Sequence, residues 1–361
     1  MDLRTATAAC EAWLAGFGPL FPSDLDHKHE QMADPDDPFP FFRGTYYRWP
    51  HHWRAHAGDP RAAAPRVLAV GDLHVENFGI WRDRDGRLCW GVNDFDEADE
   101  LPYANDLVRL AASVRLARAD AGLDVSMKAA CAAILAGYRE GVGGKGDPFV
   151  LEEHHPELRA LALDGDPPDK FWKKLGKAFE KDWPADVPPL PKKARVALTE
   201  DLAAARPEYR PRLETGMGSL GKPRYMARVQ AAGGWLAREA KRVTPPATAW
   251  DGGTDTPSRM AELAAAAIRS PDPFYRPGPE WVSRRLGPKA MRIGLGQLAS
   301  ADDLDTVMRA MGAETANVHL GTPGAAKDIR RHLDALPADW LRAAAKVLAD
   351  AVEGDWKEWR G

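Results

Sequence analysis

The sequence has few cysteines and no long apolar run. Its 361 residues include three cysteines, Cys10, Cys89 and Cys131. Their wide spacing excludes a zinc site of the C-x-x-C kind and a disulfide framework, so a reducing compartment is expected. No stretch reaches the roughly 18 apolar residues of a membrane span, and the N-terminus lacks a basic segment followed by an apolar run. We therefore expect a cytoplasmic protein that makes no contact with a membrane.

The sequence also lacks an excess of positive charge. It carries 49 Lys and Arg against 53 Asp and Glu, which gives a net charge of -4 at pH 7. Binding to phosphate backbones needs clustered Lys and Arg, so nucleic acid is not an expected partner. Hydrophobic residues make up 44% of the chain, which also has 13 Trp. A chain of this length exceeds what one core usually carries, and two lobes are expected.

Most of the chain has the periodicity of buried helices. Apolar residues from Leu107 to Val114 recur at the i, i+3, i+4 and i+7 positions of one helix face. Further helices are predicted at residues 125–142, 150–164, 170–182, 192–206 and 304–318. Strand patterns occur in two clusters, residues 66–93 and 212–243, each with a glycine-containing motif. The sequence thus predicts a helix-rich α+β fold.

Two acidic motifs surround a predicted hairpin. Residues 71–79 read G-D-L-H-V-E-N-F-G, and residues 93–97 read N-D-F-D-E. Phosphoryl transfer needs a carboxylate that orients a hydroxyl nucleophile, and hard oxygen ligands that hold Mg2+ against the phosphates of ATP. Asp72, Asn77 and Asp94 have side chains of these types. They are the candidate chemical groups of the chain.

The order of these motifs resembles that of aminoglycoside phosphotransferases and choline kinases, in which H-G-D-x-x-x-x-N is followed by I-D-F/W. The resemblance implies a two-lobed protein-kinase-like fold with ATP and Mg2+ as cofactors. It also implies that Asp72 is the catalytic base and that Asn77 and Asp94 are the metal ligands. The chain departs from these families at Val70, where they have His, and Asp96 competes with Asp94 for the metal.

A glycine-rich loop occupies residues 216–221, which read G-M-G-S-L-G. Glycines between two strands let backbone N–H groups approach the phosphates of a nucleotide closely. The candidate cofactor-binding residues are Gly216, Gly218, Ser219, Gly221 and, on a later strand, Lys241. An exposed charge at a strand end is the alternative for Lys241. A Walker A loop is excluded because Pro223 follows Lys222 where Ser or Thr is required.

The order of the two loops is unusual, because in ordinary kinases the glycine loop precedes the catalytic loop and here it follows. The sequence therefore predicts a circularly permuted fold. Residues 1–206 would form a helical catalytic lobe, residues 207–295 a nucleotide-binding lobe, and residues 296–361 helices that return to the catalytic lobe. The layout also resembles an uncharacterised bacterial domain-of-unknown-function family that contains S/D-P-F-x-F-x-R-G, G-D-x-H-x-x-N-F-G, N-D-F-D-E and G-x-G-S-x-G. The first of these segments corresponds to residues 37–44.

Three residues near these motifs are candidates for substrate binding or for support of the site. Arg43 lies in an aromatic segment and would bind a phosphate or an acidic substrate, or pack against the aromatic rings. His74 is expected to fix the catalytic loop by hydrogen bonding rather than to transfer a proton. Asp106 either supports the site or begins a helix and interacts with the helix dipole.

These features predict an ATP-dependent phosphotransferase that moves the γ-phosphoryl group to a hydroxyl of a small molecule. Its partners would be a nucleotide and an unknown small-molecule acceptor. Three alternatives remain: transfer of AMP by the same fold, a nucleotide-binding regulator without turnover, and a metal-dependent phosphoesterase. The phosphoesterase would use Asp72, His74, Asp94 and Asp96 as its metal-site side chains.

Overall fold

The computed structural model describes residues 2–56, 58, 63–121, 126–162, 167–200, 202, 206–288 and 293–361, with the side chains of residues 118–121 and 297 excepted. The helices are α1 Leu3–Ala15, α2 Pro22–Met32, α3 Phe39–Gly44, α4 Trp49–His56, α5 Ala104–Ala121, α6 Met127–Gly143, α7 Leu151–His154, α8 Pro156–Leu161, α9 Pro168–Glu180, α10 Lys192–Thr199, α11 Ala247–Asp251, α12 Met260–Ala266, α13 Ala301–His319, α14 Ala325–Ala335 and α15 Trp340–Arg360. The strands are β1 Arg66–Ala69, β2 Phe78–Arg82, β3 Leu88–Val92, β4 Asp99–Pro102, β5 Phe149–Val150, β6 Glu208–Pro211, β7 Arg224–Ala231, β8 Gly234–Arg242, β9 Arg276–Pro277 and β10 Trp281–Leu286. The predicted α+β class is confirmed.

Long helices form the larger core. The apolar stripe of α5 is fully buried, and Leu107, Leu110 and Val114 are all inaccessible to solvent, as predicted. Helices α6 and α13 approach each other closely at two glycines. A Cβ on Gly137 would collide with the carbonyl of Arg309, and one on Gly312 would collide with the carbonyl of Ile134. Their backbones therefore pack in direct contact.

The largest sheet has five antiparallel strands in the order β6-β7-β8-β10-β9. Side chains alternate between its two faces. One face carries Tyr225, Ala240 and Trp281. These side chains form a small core with Phe21 and with Ala194 and Leu198 of α10. The other face carries Arg224, Met226, Glu239, Lys241 and Arg284 and is turned toward the acidic motifs.

Two small sheets hold the acidic motifs in place. Strand β1 pairs with β4, and the β2–β3 hairpin pairs with β5. In the hairpin Phe78 is paired with Val92, so Asn77 and Asn93 lie side by side at its open end. The amide of Asn93 donates to the carbonyl of Asn77 at 2.9 Å. The hairpin thus brings the ends of the two acidic motifs next to each other in space.

Several predicted boundaries are wrong in detail. The predicted helix at residues 150–164 is divided in two, because Pro156 excludes the helical conformation at His155, whose φ and ψ are -135° and 59°. Helix α10 ends at Thr199, and the predicted remainder includes residues 201 and 203–205, which lie outside the described part of the chain. The second strand cluster begins at Glu208, before the predicted start. The division into segments 1–206, 207–295 and 296–361 stays a prediction.

The three cysteines are buried free thiols. Among the described residues, every helix is too short or too polar to cross a membrane.

Candidate active site

The turn that precedes Asp72 is held by Asp106. Gly71 has a φ of +81°, and a Cβ there would lie 2.8 Å from the hydroxyl of Tyr46, so glycine is required. The carboxylate of Asp106 accepts hydrogen bonds from the N–H groups of Val70 and Gly71, at 2.7 and 3.0 Å. It also lies 3.1 Å from Nε2 of His319, and both side chains are fully buried. Asp106 also lies in the first turn of α5, so both positions considered for it, the helix start and the turn before Asp72, are occupied by the same carboxylate.

Asp72 forms a buried ion pair with Arg109. Nε and Nη2 of Arg109 donate to Oδ1 of Asp72 at 2.9 and 2.6 Å. The guanidinium of Arg109 is stacked 3.5 Å from the ring centre of Phe42 and is almost inaccessible to solvent. Burial raises the pKa of Asp72 to about 7, although the charge of Arg109 opposes that shift.

His74 and Asn77 close a short 3₁₀ turn at residues 75–77. The amide of Glu76 donates to Nδ1 of His74 at 3.2 Å, and the amide of His74 donates to Oδ1 of Asn77 at 2.7 Å. Burial lowers the pKa of His74 well below its usual value, and the charge of Arg43 adds to the shift. The imidazole of His74 thus takes part in a hydrogen bond within the loop, and its role at the site stays a prediction. The amide oxygen of Asn77 keeps a second lone pair for another ligand.

Asp94 and Asp96 differ in the direction of their pKa shifts and in their exposure. Nζ of Lys241 lies 3.4 Å from Oδ1 of Asp94 and contacts Oδ2 of Asp96 more closely. Burial opposes ionisation of Asp94, yet the charges of Lys241 and Arg284 lower its pKa below the usual value. Burial and the charge of Asp94 raise the pKa of Asp96. The side chain of Asp94 is 39% exposed and that of Asp96 only 15%, so Asp94 is the more accessible carboxylate of the two.

The glycine loop covers Asp72. A Cβ on Gly218 would lie 3.5 Å from Oδ2 of Asp72, so the loop backbone passes beside that carboxylate oxygen. Gly216 has a φ of +78°, and Oγ of Ser219 accepts a hydrogen bond from Arg224. Gly221 points elsewhere, because a Cβ on it would collide with Leu25. It allows the chain to pass over α2 and does not line the cleft.

A cluster of arginines surrounds Glu239 on the inner face of the large sheet. Nε of Arg284 lies 2.7 Å from Oε1 of Glu239, Nη1 of Arg224 lies 3.5 Å from Oε2, and Arg212 contacts Oε2 directly. Burial opposes ionisation of Glu239, but these guanidinium groups lower its pKa below the usual value. Three cations share one carboxylate, and this excess of positive charge adjoins the cleft.

A second ion pair joins the glycine loop to the acidic motif. Nζ of Lys222 lies 3.3 Å from Oε1 of Glu97, and the amide of Ala247 donates to Oε2 of Glu97 at 2.6 Å. Burial opposes the charge of Lys222, but Glu97 raises its pKa above the usual value. The pair holds the end of the loop against residues 93–97.

These residues enclose a cleft of about 210 Å³. The lining residues from the acidic motifs, the glycine loop and the sheet are Asp72, His74, Glu76, Asn77, Asn93, Asp94, Asp96, Glu97, Thr215, Gly216, Gly218, Ser219, Arg224 and Arg284. Arg43 and Val70 complete the lining, and Arg43 forms an ion pair with Glu76. Lys241 lies behind Asp94 and Asp96 in an adjoining small pocket.

The donor set of the cleft fits Mg2+ held jointly with phosphates. Mg2+ keeps several waters and takes one or two protein oxygens beside those of a substrate phosphate. Asp94 and Asn77 offer two such oxygens. Within the described ranges, no group of three or more His, Cys, Asp or Glu side chains is arranged to hold a metal ion by itself.

Residues 20–186 match the model of a family described as an uncharacterized protein conserved in bacteria, DUF2252. The chain is similar to that family over this segment. The match includes both acidic motifs and ends before the glycine loop. No curated protein and no solved structure matches the chain. The resemblance to aminoglycoside phosphotransferases stays a prediction.

Most of the site residues predicted from the sequence line one cleft, between the DUF2252-like segment and the glycine loop. Asp72, Asn77, Asp94 and the first part of the glycine loop share one cleft. Sequence reasoning missed Arg224, Arg284 and Glu239, whose contact depends on strand register. It also missed Arg109, although a charged residue between Val108 and Leu110 on a buried helix was a visible signal.

Proposed function

We propose that the protein is a phosphotransferase that uses Mg-ATP and moves the γ-phosphoryl group to a hydroxyl of a small molecule. The observation that carries the proposal is the shared cleft. It joins a carboxylate with one untethered oxygen, two oxygen ligands for Mg2+ and a glycine loop that comes from a distant part of the chain. Phosphoryl transfer consists mainly of positioning and electrostatic stabilisation, which such a set of groups supplies.

Each group has a role in this reaction. Oδ2 of Asp72 orients the acceptor hydroxyl and takes its proton, while Arg109 holds Oδ1. Asp94 and Asn77 hold Mg2+, which neutralises charge on the phosphates when it is bound. Arg224 and Arg284 offset further negative charge, and the backbone of residues 216–219 covers the phosphates. Lys241 keeps Asp94 ionised and in place, so its proposed contact with the nucleotide is indirect.

The proposal includes a kinase-like, circularly permuted arrangement. Strand β6, the glycine loop, β7 and β8 follow one another in the order found in the nucleotide lobe of kinases, with Lys241 on the third strand. Nζ of this lysine lies 3.4 Å from Oδ1 of the proposed metal ligand Asp94. The catalytic loop comes earlier in the chain, which is the permuted order.

The geometry disfavours a two-metal phosphoesterase. His74 uses Nδ1 to accept from the amide of Glu76, and Oδ1 of Asp72 is engaged by Arg109. Asp94 and Asp96 are both paired with Lys241, and within the described ranges no group of three or more His, Cys, Asp or Glu side chains is arranged to hold a metal ion. Another of the alternatives, transfer of AMP, would use the same residues. It differs from transfer of the γ-phosphoryl group in the products that are formed from ATP.

Calorimetric titration of ATP, with and without Mg2+, tests the proposal. We expect Mg2+-dependent binding by the wild type and a loss of about tenfold or more in Asp94→Asn, since a carboxylate ligand is removed. Asp85→Asn is the matched control, because Asp85 lies exposed in the turn at the other end of the same hairpin. Absence of ATP binding, or binding that depends on neither Mg2+ nor Asp94, would refute the proposal.

A further inference from the structure

A second cavity adjoins the cleft beneath helix α9. It has a volume of about 420 Å³ and lies between α9 and the strands β6 and β7. Its apolar wall includes Phe171 and Leu175 from the helix, Leu213 from the segment that follows β6, and Met226 from β7. Thr215 lines both this cavity and the cleft, so the two spaces meet at the start of the glycine loop.

The C-terminal end of helix α9 is tied to the sheet at one end of this cavity, which we call the slot. Nε of Arg210 donates to the carbonyl of Lys181 at 3.0 Å, just after the helix. The guanidinium of Arg228 is stacked 4.5 Å from the ring centre of Phe179, which is buried. These contacts close the interface between α9 and the sheet at the C-terminal end of the helix. Phe171 and Leu175, one turn apart on the same helix face, are only partly buried and border open space.

The cleft and the slot suit different parts of one ligand. Among the described residues that line the cleft, Val70 alone has an apolar side chain, and the rest are polar, charged or glycine. Such walls suit phosphates and a metal ion but offer no flat apolar surface for a nucleobase. The slot offers aliphatic and aromatic surfaces and about twice the space, which is the usual composition of a site for a planar organic group.

We infer that the slot holds the base and ribose of the nucleotide whose phosphates occupy the cleft. The inference rests on the proposed function, because it takes the cleft as a triphosphate site. The ligand would pass Thr215 and Gly216, where the two cavities join. The base would lie between Leu175 of the helix and Met226 of the sheet. The slot is also lined by charged side chains of both signs, which could bond to the polar edge of the base or to the ribose hydroxyls: Lys174, Lys181, Asp182, Arg210, Arg212 and Glu214.

Ala178→Trp tests the inference by filling the slot from the helix side. Ala178 lines the slot, whereas the adjacent Lys177 is exposed on the outer side of α9, so Lys177→Trp is the matched control. Binding of ATP and of inorganic tripolyphosphate, each with Mg2+, is measured by calorimetry. We expect Ala178→Trp to weaken ATP about tenfold or more and to leave tripolyphosphate unchanged, with both ligands unaffected in Lys177→Trp.

The outcomes separate the inference from the proposed function. The slot is not the base site if the wild type binds tripolyphosphate and ATP equally well, or if folded Ala178→Trp binds ATP like the wild type. In either case the cleft is still a candidate site for phosphates. If the wild type binds neither ligand, both proposals are wrong. Phe171→Ala is the second variant should Ala178→Trp not fold, and we expect it to weaken ATP severalfold without an effect on tripolyphosphate.

Discussion

Arg109 donates two hydrogen bonds to the same oxygen of Asp72, Oδ1, and Oδ2 of that carboxylate faces Gly218 of the glycine loop. One oxygen is therefore tethered and the other remains available at the cleft. A carboxylate held in this way has a fixed orientation toward a ligand. In the proposed phosphotransferase reaction, that second oxygen is the one that acts on the acceptor hydroxyl.

Asp72→Asn should remove turnover and keep nucleotide binding. The amide cannot take a proton from an acceptor hydroxyl, and general-base catalysis contributes roughly 10²- to 10⁴-fold. The rate of Mg2+-dependent ATP consumption and the calorimetric affinity for ATP are measured on the same preparations. A variant that retains the wild-type rate would show that Asp72 is not the base.

The rate of the wild type should rise with pH through about 7. Burial raises the pKa of Asp72 to about 7, and the group acts as a base only when it is deprotonated. Removal of the cation in Arg109→Met should raise that pKa further, because the positive charge favours the carboxylate. The pH–rate profile of this variant should therefore have its midpoint at higher pH.

Arg109→Lys is the matched control for this shift, since it keeps the charge and should keep the midpoint nearer to that of the wild type. Loss of one partner from a buried ion pair costs about 3–5 kcal/mol, so thermal unfolding of each variant is checked first. A midpoint for folded Arg109→Met that is unchanged or lower would contradict the assignment of the profile to Asp72.

Asp106→Asn should destabilise the protein through the turn before Asp72. The carboxylate accepts from the amides of Val70 and Gly71, and an Asn side chain would turn its NH2 group toward at least one donor. A buried donor left without an acceptor costs about 1–3 kcal/mol. Urea unfolding measures this loss, and Asp328→Asn on the exposed side of α14 is the control. Equal stability of the variant and the wild type would mean that the turn is held by other contacts.

Lys28→Met should stabilise the protein at pH 7. Lys28 is 7% exposed, and its ammonium group has no hydrogen bond or ion pair with the described residues, although it borders a small cavity of about 40 Å³. Burial lowers its pKa, so the folded state binds fewer protons than the unfolded state between that lowered pKa and 10.5. The cost of the buried charge is therefore greatest at low pH and declines as the pH rises toward 10.5.

The expected gain of Lys28→Met in free energy of unfolding is about 1–3 kcal/mol at pH 7 and smaller at pH 10. Denaturant unfolding at the two pH values measures it, and Lys177→Met, at an exposed lysine, should change neither value. A loss of stability in Lys28→Met would show that the ammonium group has a stabilising partner.

The sequence predicted the parts of the site that are close in the chain. Asp72, Asn77 and Asp94 meet because a single hairpin connects their motifs, and a hairpin is a short-range structure that turn residues and alternation indicate. The buried stripe of α5 was predicted for the same reason, since periodicity is local.

Contacts between distant segments were not predicted. Arg284 meets Glu239 because β8 and β10 pair in one particular register, and a shift by one residue would turn the arginine to the other face. Asp106 also contacts His319 of α13, a residue 213 positions away in the chain. Helix α9 carries no motif, so the slot beneath it is visible only in the folded chain.

The claim that the protein catalyses phosphoryl transfer is tested most directly by identifying the products that it forms from ATP and Mg2+. The reaction is monitored by ³¹P NMR in the absence of any added acceptor. Water replaces the missing hydroxyl in a slow reaction, and the account predicts ADP and inorganic phosphate, at a rate that Asp72→Asn and Asp94→Asn abolish. AMP and diphosphate would instead assign the site to transfer of AMP. Complete stability of ATP with the wild type, under conditions where it binds, would contradict catalysis of phosphoryl transfer.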